Sequence, residues 1–225
     1  MTISYPLSLP NSPTPGLRKI TLAARSALAR TEGPYDFSQQ LVDWGGERWE
    51  ASIEFPAMKR AKAEPILAFL LAAKGGTIKI GPFDGASINP QGVATGTPLV
   101  NGTVAARSKT ITTKGWTHSI PGILKAGDYI QVTDSVQIRL HKVLTDANSD
   151  SSGNATLDVW PRVRAALADG NAIAVSNPQG IFQLAAPDIA WTVDYQHMYG
   201  DETSAQQAGY AAGKSGLGFA AVEVI

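Results

Sequence analysis

Residues 49–55 put Trp49, Ala51, Ile53 and Phe55 on one face of an extended chain and Glu50, Ser52 and Glu54 on the other. Strict alternation of this kind fits a β-strand buried on one side and fits no helix. Gly45-Gly46 before it predicts a turn, Pro56 a stop, and residues 39–44 a hairpin partner. A strand needs neighbours to satisfy its backbone, so the rest of the chain must supply more of them. The 22 glycines and 14 prolines provide the turns that a β-rich chain requires.

Upstream, residues 1 to about 35 read as an extended arm leading into a first strand. Pro6, Pro10, Pro13 and Pro15 keep the arm out of helix and out of central strands. Ile20, Leu22 and Ala24 share a face if residues 19–30 form a strand. A helix over 22–29 competes, and periodicity leaves both open.

The spacing of Ile66, Phe69, Leu70 and Ala73 predicts one principal helix over about residues 60–74. Lys74 falls in its last turn and Gly75-Gly76 offers a cap. Pro65 is tolerable there if the first regular turn begins near Ala61. Residues 77–80 then return as a strand. The stretch 83–100 is rich in glycine and proline and marks a domain junction.

Beyond the junction, short strands are expected at 109–113, 129–133, 137–143, 155–160 and 172–175, with 146–153 as a polar hairpin loop. This spacing suggests a small barrel or sandwich. Strands follow at 181–185, at 188–195 with Trp191 on the apolar face, and at 219–225; residues 200–217 read as a loop. The fold class is therefore mostly β with one principal helix. Residues 1–85 plus 178–225 form a sandwich- or barrel-like main domain, and 86–177 form an inserted small β-barrel or sandwich. A loop whose ends lie close together accepts such an insertion.

Composition narrows the function. Nineteen basic and nineteen acidic residues cancel, so no field of one sign is available to hold a nucleic-acid backbone. With no cysteine, disulfides and thiolate chemistry are excluded. No basic start leads into an apolar run at the N-terminus, so no signal peptide is expected. The longest apolar stretch, 66–73, is too short to span a bilayer, and no membrane insertion is expected.

Candidate chemistry is sparse. His118, His141 and His197 lack the four-residue spacing of zinc hydrolases and read as surface or interface histidines. Glu50 and Glu54 share a strand face, the arrangement of a glycosidase pair, but a solvated sheet face is the preferred explanation. Asp146, Asp150 and Asp158 lack a calcium-loop pattern. Gly209, Gly213, Lys214 and Ser215 miss the phosphate-loop spacing by one residue, and no Gly-x-Ser-x-Gly elbow is present. No catalytic residue, cofactor site or metal site is assigned. Trp49 and Trp191 read as core. Trp44 and Trp116 lie beside turns and are freer to stack on a ligand or a subunit. Together with Tyr210 they are the candidate interface residues.

The segments Asp43-Trp-Gly-Gly-Glu-Arg-Trp-Glu50, Pro56-Ala-Met58 and Ala68-Phe-Leu-Leu-Ala72 resemble tail proteins of long-tailed bacteriophages. So do Leu124-Lys-Ala-Gly-Asp-Tyr-Ile-Gln131, Arg139-Leu-His-Lys-Val143, Gly153-Asn-Ala-Thr-Leu-Asp-Val-Trp-Pro161 and the Asp169-Gly170 turn. The resemblance covers about residues 40–195 and is similar in kind to the distal tail proteins of siphovirus-type phages. It implies a structural virion protein at the tail tip, made in the host cytoplasm. It also implies a homo-oligomeric ring of six subunits that joins the tail tube protein to the hub protein and carries receptor-binding parts or side fibres. The arm at 1–16, Trp44 and the loop at 200–217 are the expected contacts. A carbohydrate-binding module for host-surface glycan, and more remotely a glycosidase, are the competing classes.

Overall fold

The computed structural model describes residues 3–10, 17–56, 58–82, 89–189, 191, 193–194, 209–210 and 217–225; at 58–60, 193–194 and 209–210 it describes the backbone alone. The first strands are β1 (Leu7–Ser8), β2 (Lys19–Glu32), β3 (Gln39–Glu54) and β4 (Met58–Lys59). Helix α1 (Arg60–Ala73) and β5 (Ile78–Ile80) follow. Then come β6 (Gly96–Val100), β7 (Thr110–Trp116), β8 (Tyr129–Thr133), β9 (Ile138–Val143), β10 (Ala155–Trp160) and β11 (Ile173–Ala174). The chain closes with β12 (Gly180–Leu184), β13 (Val193–Asp194), β14 (Gly209–Tyr210) and β15 (Gly218–Glu223). The protein is mostly β with one helix among the described residues, as the sequence leads one to expect.

The chain divides into two compact units. One comprises residues 1–22, 50–88 and 179–224; the other comprises 23–49, 89–178 and 225. Residues 23–49 thus fall with the barrel segment and not with the rest of the expected main domain.

One six-stranded sheet runs β1-β5-β12-β15-β3-β2; β1, β5, β12, β15 and the 50–54 end of β3 belong to the first unit, and residues 23–49, which hold most of β2 and β3, to the second. β1 and β5 pair in parallel; β5–β12, β12–β15 and β15–β3 are antiparallel. A second, three-stranded sheet orders β13-β14-β4. The alternation of 49–55 is realised: Ala51, Ile53 and Phe55 are buried and the intervening residues are more exposed. Helix α1 buries Ala63, Ile66, Leu67, Leu70 and Ala73. Phe69 is only half-buried, its ring 6.5 Å from that of Phe219, which also stacks on Phe55 at 6.4 Å. Pro65 lies inside the helix, where it removes one backbone donor without ending it.

The arm is partly tied down by its own chain. Tyr5 donates from its hydroxyl to the Ala72 carbonyl at 2.7 Å, satisfying one of the acceptors that a helix leaves open at its C-terminus. A Cβ at Gly76 would lie 2.2 Å from the Tyr5 ring, so glycine is what lets the ring dock there. The remainder of the arm, 1–2 and 11–16, lies outside the described residues.

In the second unit a six-stranded sheet orders β11-β8-β9-β10-β7-β6. A bridge between Leu99 and Ala172 brings its two ends together, giving a nearly closed barrel. Strand β6 lies within the stretch expected to be loop. The barrel core includes Val100, Ile111, Ile123, Leu124, Ile130, Val143 and Leu157. Asp128, buried, ties one end of the barrel by accepting from the backbone N–H groups of Gln91, Gly92 and Lys125 at 2.8–3.1 Å.

Three local expectations are corrected. Gly45-Gly46 is not a turn: β3 runs through it for 16 residues, and its neighbours are β2 and β15, not residues 39–44. Gly45 takes φ +72°, a left-handed kink inside the strand that glycine tolerates. The helical alternative for 22–29 is displaced by the strand. Trp191 is 44% exposed rather than core, and the described strand there is confined to Val193–Asp194.

Candidate interaction surface

The turn that creates the surface lies at residues 33–38. The Gly33 N–H donates to the Ser38 carbonyl at 2.8 Å, and Asp36 Oδ1 accepts from both the backbone N–H and the hydroxyl of Ser38. These bonds hold the Asp36 carboxyl below its ordinary range. From this turn β2 and β3 extend as a hairpin. Residues 24–44 are all exposed apart from a half-buried Gly33, so both faces of the ribbon meet solvent.

That exposed stretch carries large apolar side chains: Leu28, Tyr35, Phe37, Leu41, Val42 and Trp44. Tyr35 is 97% exposed and Trp44 68%. β2 is also the last strand in its sheet order, so its outer edge has no strand partner among the described residues. At 14 residues it is a long edge without proline, blunted only by the charges of Lys19, Arg25, Arg30 and Glu32. A two-stranded ribbon exposed on both faces is marginally stable alone in water.

The base of the ribbon is anchored firmly. Trp49 is buried, and its indole N–H donates to the Leu140 carbonyl at 3.0 Å. Its ring meets Trp160 edge-on at a 4.4 Å centroid separation and lies 6.0 Å from Tyr129. The β9–β10 ladder stops at Trp160–Lys142, because Pro161 brings no N–H. His141 takes over there, with Nδ1 2.8 Å from the Pro161 carbonyl. Burial, outweighing that hydrogen bond, pushes His141 down to about 4, so the ring is neutral and Nδ1 carries the proton. It is a core histidine, 2% exposed, and not the surface or interface residue expected from its alternating neighbours.

Arg162 forms a second anchor. It pairs with Asp43 through Nη2 and with Glu47 through Nε at 3.4 Å, and its backbone N–H donates to Glu47 Oε2 at 2.7 Å. The Gly45 N–H, then Arg162, hold the Asp43 carboxyl below its ordinary range. A Cβ at Gly45 would lie 3.0 Å from Arg162 Nη1, so the glycine admits the guanidinium.

Of the three candidate interface residues, Trp44 lies on the exposed ribbon. Trp116 does not serve as surface: it is 2% exposed in the barrel core. Its indole N–H donates to Thr113 Oγ1 at 2.8 Å, and that hydroxyl donates in turn to the Ala155 carbonyl. Closeness to a turn did not imply exposure, because β7 continues to Trp116 and points it inward. Tyr210 lies on β14, and its side chain is outside the described residues, as are His197, most of 200–217 and the Gly213–Ser215 stretch. His118 is exposed. Glu50 and Glu54 share a face of β3, with Cα atoms about 13 Å apart. Glu54 lies 4.0 Å from Lys19. Among the described residues no group of three or more His, Cys, Asp or Glu side chains is arranged to hold a metal ion. No described helix is long and apolar enough to cross a membrane.

Sequence reasoning missed the ribbon, reading 39–44 and 49–55 as the hairpin. The signal was available in the density of small and apolar residues at 20–29 without proline or glycine. No protein-family model matches the chain, and no curated protein matches it in sequence.

Proposed function

We propose that this chain is a structural subunit of a bacteriophage tail tip, a distal tail protein that assembles with copies of itself into a ring of six. In this reading the ring joins the tail tube protein to the hub protein and carries receptor-binding parts or side fibres, and it works by assembly rather than by catalysis. The protein is made in the host cytoplasm and ends in the virion.

The observation that carries this reading is the exposed ribbon, with its 14-residue edge strand and its row of apolar side chains. A monomer leaves this surface as an aggregation liability; a closed ring covers it by pairing each copy with the next. The firm anchoring at Trp49 and Arg162 supports the same reading, since a fixed arm loses less freedom on docking.

The test is the native mass of the full chain beside that of a Leu28→Asp, Leu41→Asp double variant. Both positions are exposed, so the fold should tolerate the change. An oligomer that dissociates in the variant supports the reading. A wild-type oligomer that the variant leaves unchanged rejects the ribbon as the assembling surface.

A further inference from the structure

Beside the ribbon's anchor lies a cleft of about 360 Å³, lined by Trp44, Gly45, Arg107, Arg139, Arg162 and Arg164 among others. Four guanidiniums around one cleft are unusual in a chain of zero net charge. Two of them are fixed by carboxylates: Arg162 by Asp43 and Glu47, and Arg139 by the buried Asp134 at 3.0 Å. Those pairs hold the planar groups in place as walls of the cleft.

Arg107 differs. It is exposed, and no carboxylate among the described residues lies within ion-pair distance of it. Its backbone takes φ +68°, a left-handed conformation that L side chains disfavour, held by an N–H bond to the Val163 carbonyl at 2.6 Å. Lys109, exposed and near enough for its charge to act on the Asp43 carboxylate, adds a second cation. The exposed Trp44 indole lines the same cleft and offers a flat apolar face next to these charges.

From this arrangement we propose that the cleft binds an oxyanion, a carboxylate or phosphate group. Arg107 makes the charge-assisted contact, and the Arg139 and Arg162 pairs hold the walls. Trp44 supports the ring that carries the group when the ligand is a sugar acid. Trp44 belongs to the ribbon as well, but the Leu28 and Leu41 substitutions leave Trp44 and the arginines of the cleft in place, so failure of the assembly test and failure of this site are distinguishable.

Calorimetric titration of the full chain at low ionic strength, with inorganic phosphate and separately with a galacturonate trimer, tests the site. At least one probe should bind, and added salt should weaken it. Arg107→Asn suits the left-handed backbone while removing the charge, and should lower that affinity about tenfold or more. Trp44→Ala separates the sources. Loss of the trimer with phosphate unchanged assigns the oxyanion to an acidic glycan; no change with either probe assigns it to a free phosphate or carboxylate. If neither probe binds, or if Arg107→Asn binds as wild type does, the proposal is wrong.

Discussion

Replacing Trp49 with alanine should destabilise the barrel-containing unit by about 4 kcal/mol. Truncating a buried tryptophan costs roughly 3–5 kcal/mol through lost transfer energy and the cavity left behind. Here the side chain is 3% exposed and meets Trp160 edge-on at 4.4 Å, a contact that contributes about 1 kcal/mol of that sum. The Leu140 carbonyl loses the indole donor as well, and a buried acceptor left unmade costs roughly 1–3 kcal/mol unless water reaches it. Trp49→Phe separates these contributions: it keeps an aromatic ring but not the N–H, and should cost about 2 kcal/mol. Urea unfolding followed by near-ultraviolet circular dichroism measures both. Where the two units unfold in separate transitions, the shift belongs to the one holding residues 89–178. A loss below about 1 kcal/mol for Trp49→Ala would refute the anchoring role, since no buried tryptophan in this setting is that cheap to remove.

Acid should weaken the fold before its carboxylates titrate. His141 has its folded value lowered to about 4, beneath the 6.5 of an unfolded chain. Its contribution is complete above pH 6.5 and is lost as pH falls from 6.5 to about 4, roughly 3 kcal/mol in all. Denaturant unfolding across that range should show the decline, and His141→Asn should flatten it. Breaking the Asp134–Arg139 pair with Arg139→Met should cost about 3–5 kcal/mol, because the buried carboxylate loses its cation; thermal unfolding reads this. Gly92→Ala puts a Cβ 2.3 Å from the Ile123 carbonyl oxygen and should cost several times more than Gly102→Ala, which meets nothing within 4 Å and carries only the strain of its φ of +71°, about 1 kcal/mol. Gly76→Ala should expel the Tyr5 ring, seen as faster hydrogen exchange at Leu7, whose N–H bonds the Thr77 carbonyl.

Much of the fold was legible because it rests on local pattern. The alternation of 49–55, the stripe of α1 and the short barrel strands all survive with small shifts of boundary. What escaped was set by long-range contact. Gly45-Gly46 has turn composition, yet the approach of Arg162, more than 100 residues later, uses the glycine as a kink within a strand. Strand β6 has the proline and glycine of a loop and becomes a strand only because β7 pairs with it. His141 and Trp116 have polar or turn-like neighbours, and only the barrel's closure decides that both point inward. Of the candidate site, only the exposure of Trp44 was legible, from its place beside glycines. The arginines of the cleft are scattered from 107 to 164, and no spacing in the sequence links them to Trp44.

Assembly into a ring is tested by the native mass of the purified full chain, with electron microscopy of whatever oligomer it forms. The expected result is a closed ring whose mass is six times that of one chain. An open or irregular aggregate, or a chain that stays monomeric both alone and when mixed with a preformed tail tube, would contradict it.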